Sequence, residues 1–307
     1  MSGAMRFSIY QESRKGTRPD NQDRIGYSYN RDALLMIVAD GMGGHLHGEV
    51  ASHIVVQFLC EAFQRESENK LADPFMFLLR NIGNAQHAIV DYAEARGLLE
   101  TPRTTCVACV VQDSYAYWAH VGDSRLYHVR EGRICAQTKD HSRVQRLLDQ
   151  GRIREEAVAA HPERNRIFNC LGATIPPQVE LSLKTGLQPG DILLLCSDGL
   201  WGPLSGAVIG EALAQEDIMR AVPALLDTAE LCAGRVCDNL SAVAMNWADS
   251  NRDAANQVST QNFGPSTFMT NRGEFGKALT KLTDPSEAEI EQGIAEIGAA
   301  IRRHAGK

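Results

Sequence analysis

Aspartates recur at the ends of apolar runs. Asp40 ends ALLMIVAD, Asp123 ends YWAHVGD, Asp198 ends LLLCSD, and Asp238 introduces NLSAVAM. Asp23 lies in RPDNQD, read as a turn after the first apolar run. A single aspartate at such a place is a turn former. Four or five are harder to explain that way. If sheet edges bring them together, mutual repulsion raises their pKa values unless cations are present. Clustered oxygen donors without histidine or thiolate favour hard ions, Mg²⁺ or Mn²⁺, over zinc. A paired-ion site can activate water and neutralise a phosphate, so metal-assisted hydrolysis is the chemistry such a cluster suits.

The elements that must position these residues are mostly strands. Strand-type runs cover 7–13, 33–39, 104–111, 115–121, 126–130, 179–183, 192–196 and 240–247, with short turn signals between several of them. Helical patterns cover 47–66, 74–95 and 218–232. Strands with helices gathered into blocks suggest antiparallel sheets covered by helices, an α+β class that a four-layer αββα sandwich fits. The stretch 140–172 is charged and has little apolar periodicity after Leu148, which reads either as a flap beside a site or as a surface excursion.

Composition shifts after Trp247. Residues 251–271 are rich in Asn, Gln, Ser and Thr and read as a polar linker. Beyond it, Asp284, Pro285 and Glu287 form a helix-start pattern, and Ile290, Ile294, Ile297 and Ile301 share one helical face. That amphipathic helix docks either on its own domain or on a partner. The expected division is therefore 1–247 as a catalytic domain and 248–307 as linker plus C-terminal helix.

With 44% hydrophobic and 22% charged residues, the 307-residue chain can bury a sizeable core. A net charge of −7 argues against nucleic acid as a partner. No apolar run is long enough to span a bilayer, and the first twenty residues lack the apolar stretch of a signal peptide. The eight cysteines are read as buried thiols in a reducing cytoplasm. Cys106 and Cys109 form a CxxC, but on a strand their odd spacing sends them to opposite faces.

Taken in order, GTRPDNQD (16–23), VADGMGGH (38–45), TT (104–105), VGDSR (121–125), DHS (140–142), CSDGLW (196–201) and DN (238–239) resemble the bacterial PPM, or type 2C, metal-dependent protein serine/threonine phosphatases. The resemblance spans about residues 5–247 and implies the αββα sandwich, with 140–172 as its flap. It implies a cytoplasmic enzyme that hydrolyses phosphoserine and phosphothreonine with a metal-activated water at a binuclear Mg²⁺ or Mn²⁺ centre, without a phosphoenzyme. By position, Asp40 bridges two ions, the Gly41 carbonyl is a further ligand, and Asp198 and Asp238 complete the shell. Asp23 acts through water, and Asp123 with Asp198 holds a third, weaker ion. Arg18 takes the phosphate, a task that suits a planar guanidinium. Implied partners are phosphorylated proteins and the bacterial kinase that modifies them. The alternative is a catalytically impaired member of the fold acting as a regulatory binding module.

Two positions depart from the pattern. Gln22 stands where many relatives carry Glu, and Met42 where eukaryotic relatives carry a histidine proposed as general acid, which leaves the proton donor open among a metal-bound water, a flap residue and His45. His45-Leu46-His47-Gly48-Glu49 resembles the start of a binuclear zinc motif, but Val50 stands where its last histidine belongs. No cysteine has an arginine six residues on, and no GxxxxGK[ST] occurs, which removes thiolate phosphatases and P-loop enzymes.

Overall fold

The computed structural model describes residues 5–42, 47–154, 157–158, 161–248 and 267–271. The first half runs β1 (Arg6–Arg14), β2 (Asp23–Tyr29), β3 (Ala33–Met42), α1 (Gly48–Glu66) and α2 (Pro74–Ala95). Next come β4 (Arg103–Thr104), β5 (Cys106–Gln112), β6 (Tyr115–Val121), β7 (Arg125–Arg130), β8 (Arg133–Gln137) and α3 (Arg143–Asp149). The chain continues through β9 (Glu180–Leu181), β10 (Thr185–Gly186), β11 (Ile192–Cys196), α4 (Asp198–Trp201) and α5 (Gly206–Gln215). It then forms α6 (Ile218–Ala233), β12 (Leu240–Ala248) and β13 (Thr267–Asn271).

One sheet has the order β1-β12-β11-β7-β8; the other has β10-β6-β5-β3-β2-β13, with β4 on β3 and β9 on β6. Alternation along the strands builds three apolar layers. Leu35, Ile37 and Val110 face α1 and α2, and Leu194, Ala242 and Ala244 face α5 and α6. Ile25, Met36, Val38, Leu193 and Met245 fill the space between the sheets. This is the four-layer sandwich the sequence suggests. Cys106 lies in the helix-facing layer and Cys109 between the sheets, on opposite faces as expected.

Local chemistry sets the helices. Asp73 caps α2 by accepting from the amides of Phe75 and Met76, with Pro74 at the first helical position. Asp217 caps α6 through the Met219 amide. No helix among the described residues is long and apolar enough to cross a membrane.

Several expectations need correction. Asp23 is not in a turn: it is the first residue of β2 and pairs in register with Asp40 of β3. Gly26 and Ser28 disguise that strand by breaking its apolar run, although both are buried between neighbours. The strand expected at 179–183 shrinks to the two residues of β9, and β8 is a short edge strand of alternating polar residues. Helix α5 escapes a sequence reading because Gly206 and Gly210 look like breakers. Gly210 is there for contact, since a Cβ on it would lie 2.6 Å from the Gly132 carbonyl oxygen. The polar stretch 251–271 ends in β13, which pairs parallel to β2, the one parallel pairing among the described strands. None of the eight cysteines is in a disulfide, but Cys135 and Cys232 are exposed rather than buried. The C-terminal helix pattern from Asp284 lies outside the described residues.

Candidate active site

The sandwich brings all five aspartates to one end. Asp40, near the end of β3, faces Asp23 across the β2–β3 ladder. Asp198 opens α4 just past β11, Asp238 precedes β12, and Asp123 sits between β6 and β7. Asp40 is the hub. Burial raises its carboxyl well above the ordinary range, and the charges of Asp23, Asp198, Asp123 and Asp238 raise it further. Burial, then Asp238 and Asp23, carry Asp198 to about 7. Burial, opposed by the Ser197 hydroxyl, carries Asp23 to about 6. Asp123 is raised by burial and then by Asp198 and Asp140.

Backbone and hydroxyl groups hold these carboxylates in place. The Asp40 amide donates to Thr105 Oγ1 at 3.0 Å, and its carbonyl accepts from the Thr105 amide at 2.9 Å and from Thr104 Oγ1 at 2.8 Å. Thr105 Oγ1 also meets Ser124 Oγ at 2.7 Å, which ties β3 to the turn that carries Asp123. Ser197 Oγ donates to Asp23 Oδ2 at 2.7 Å. Asn239 Oδ1 accepts from the Gln22 amide, and its Nδ2 donates to the carbonyls of Lys15 and Asp20, fixing the 15–22 loop. Arg18 reaches Asp238 Oδ2 at 2.6 Å from a half-exposed position at the mouth.

Gly41 is required by space. A Cβ there would lie 2.4 Å from the Gly48 carbonyl oxygen and 2.6 Å from that of Gln22. Gly41→Ala should therefore displace β3 beside Asp40, lowering stability by roughly 1–3 kcal/mol and cutting turnover about tenfold or more. A thermal melt and kcat/KM on an aryl phosphate check this.

The donor set fits divalent cations. It is all oxygen, and Asp23 Oδ1 is buried with no hydrogen-bond donor reaching it among the described residues. Repelling carboxylates in a buried pocket are stable as anions only with positive charge among them. His120, His141 and Glu180 also bring one ligand atom each within 4.8 Å of one another. Their ring nitrogens are already engaged in hydrogen bonds, and the two imidazoles stack at 4.6 Å with a 15° interplanar angle. His141 Nδ1 accepts from the Gly122 amide at 3.0 Å, which leaves the proton on Nε2, 3.3 Å from Glu180. His120 Nε2 donates to the Lys139 carbonyl. This is a hydrogen-bonded brace behind the Asp123 turn.

A second chain of contacts, not read from the sequence, supports that turn. Arg125 makes a bidentate pair with Asp140, both bonds at 2.8 Å, and its guanidinium lies 3.5 Å above the Trp201 ring. Trp201 Nε1 donates to the Asp123 carbonyl. These residues fall in VGDSR, DHS and CSDGLW, so the motifs were the available signal. Gln22 Nε2 approaches Glu49 at 3.4 Å, and Met42 ends β3. His45 lies outside the described residues.

Comparison with known proteins identifies the family and the fold. A family model described as Protein phosphatase 2C matches residues 11–233. The serine/threonine phosphatase stp of Listeria innocua is 33% identical over 80% of this chain and 98% of its own. PstP of Mycobacterium tuberculosis is 35% identical over 76% of this chain, which spans 43% of that longer protein. Among solved structures, Stp1 of Staphylococcus aureus superposes with a TM-score of 0.73 at 30% identity, covering 81% of this chain and 98% of its own. The catalytic domain of PstP in complex with two manganese ions does so at 0.67 and 30%, over 80% of this chain and all of its own. The chain belongs to the protein phosphatase 2C family, the bacterial PPM serine/threonine phosphatases.

Proposed function

We propose that the chain hydrolyses phosphoserine and phosphothreonine monoesters in proteins at a divalent-cation centre. Asp40, the Gly41 carbonyl, Asp198 and Asp238 hold two ions, Mn²⁺ or Mg²⁺, and Asp23 supports them through water. Asp123 with Asp198 offers a third, weaker position. The observation that carries this reading is the convergence on Asp40 of four other carboxylates that raise its pKa. Their retention also speaks against an impaired binding module. When bound, such ions lower the pKa of water and neutralise charge on a phosphate.

The chain's own residues do the rest. The Arg18 guanidinium, steered by Asp238, presents N–H groups where a phosphoryl group would enter. Asp23 and the Thr105–Ser124 pair fix the position of Asp40 rather than react. Direct attack by water, with no phosphoenzyme, is part of this proposal; Cys196, fully buried in β11, and Cys237, beside Asp238, both have their pKa values pushed up by burial, which speaks against either as a thiolate nucleophile.

The experiment is hydrolysis of p-nitrophenyl phosphate and of a phosphothreonine peptide with and without Mn²⁺. Turnover of both only with the ion supports the proposal; inert protein under saturating Mn²⁺ refutes it. Arg18→Ala should lower kcat/KM by about 10²-fold, and Arg18→Lys should recover only part of that, because a point charge cannot make the two-pronged contact.

Substrates are proposed to include phosphoproteins made by a bacterial serine/threonine kinase, and that kinase itself. A cytoplasmic setting is proposed on eight cysteines that form no disulfide among the described residues. The catalytic domain is proposed to end near Trp247, with 248–307 appended; the helix expected from Asp284 is proposed to dock on its own domain or on a partner. Truncation after Ala248 should leave Mn²⁺-dependent aryl phosphate turnover within about twofold; collapse of that turnover would place the tail in the catalytic unit.

A further inference from the structure

A groove of about 340 Å³ leads from the aspartates outward, between the 140–172 insertion and the C-terminal end of α6. Arg18, Asp198 and Asp238 form its inner end. The rest of the lining includes apolar side chains, Trp201 and Pro203, Val144 and Val158 from the insertion, and Val236 just past α6, together with one cation from the insertion, Arg164. The side chains of Gln145 and Asn165 border the same space. Amide groups beside apolar walls are what a passing peptide backbone and an apolar side chain require.

The wall is rigid. Trp201 is fixed on one face by the Arg125 guanidinium and at Nε1 by the Asp123 carbonyl. Arg125 is itself clamped by Asp140, and its guanidinium offsets that carboxylate, the one acidic charge the insertion brings to this groove. Val236, by contrast, is 83% exposed, an apolar side chain standing in the open beside a concave surface.

We propose that this groove binds the polypeptide flanking the phosphorylated residue and selects an apolar side chain there, seated against Trp201, Pro203 and Val236. The assignment rests on the phosphatase reading above. Continuity chooses the occupant. A phosphate gripped by Arg18 at the inner end belongs to a chain that must continue outward, and this groove opens from the same residues.

The test uses the full chain with Mn²⁺ and phosphothreonine peptides that differ only next to the phosphothreonine, where Leu, Ala or Asp is placed. The Leu peptide should exceed the Ala peptide in kcat/KM by about tenfold, the scale of one apolar contact in a pocket, with the Asp peptide lowest. Val236→Asp should reduce that Leu-to-Ala ratio to about twofold. A wild-type ratio of twofold or less, or a preference for Asp, overturns the groove assignment while p-nitrophenyl phosphate turnover keeps the phosphatase reading standing. A ratio in Val236→Asp equal to that of wild type also overturns it. A wild type inert toward p-nitrophenyl phosphate overturns both.

Discussion

Replacing Asp40 by alanine should do two opposite things. Turnover of an aryl phosphate should fall by at least about 10³-fold, because the residue common to both proposed ion positions is gone. The metal-free protein should become more stable. Asp40 is the carboxyl on which the repulsion of Asp23, Asp198, Asp123 and Asp238 converges. The backbone of this position bonds to Thr104 and Thr105, and alanine keeps those bonds. The substitution therefore removes a buried charge conflict without removing the anchoring. In chelator, the melting temperature of Asp40→Ala should exceed that of wild type by a few degrees, about what 1–2 kcal/mol produces in a domain of this size. A variant that melts lower than wild type in chelator would show that Asp40 is a structural carboxylate and not part of a frustrated cation site.

Removing the ions from wild type should have the second large effect, and its size should depend on pH. The carboxyls of Asp23 and Asp198 rise to about 6 and 7, and those of Asp40 and Asp123 rise as well. In the metal-free protein the folded state then holds more protons than the unfolded chain from about pH 4 upward. Stability contributed by the protonated carboxyls is present at low pH and lost as pH rises through the folded values. His53, buried and lowered to about 4, works with the opposite sign, but only between about 4 and its ordinary value of 6.5. Above about pH 6.5 the carboxyl effect stands alone, so metal-free protein should lose stability from there to about pH 8. Saturating Mn²⁺ should reverse that slope and raise the melting temperature by roughly 5–10 °C at the upper end. Melts in chelator and in Mn²⁺ across that range decide it. A flat profile in chelator would mean that the aspartates are held too far apart to interact.

The strand-end aspartates were legible because polar residues closing apolar runs are a local signal. Their convergence was not. That Asp23 faces Asp40 depends on the register of β2, a strand hidden by Gly26 and Ser28. The Arg125–Asp140 pair and the Trp201-to-Asp123 hydrogen bond depend on which sheet edges adjoin, and residues far apart in the chain make them. The motifs contained every one of these residues, yet none revealed its partner. The same holds for α5, whose glycines break a local pattern in order to admit the β7–β8 turn. Residue type announced the chemistry; sheet topology chose the contacts.

The most direct test of the cation centre is a calorimetric titration of chelator-stripped wild type with Mn²⁺ near pH 7.5, beside Asp40→Ala. The account predicts at least about two ions bound by wild type at micromolar to millimolar concentrations, and loss of that binding in the variant. Wild type that binds no Mn²⁺ in this range, or Asp40→Ala that binds as wild type does, would contradict it.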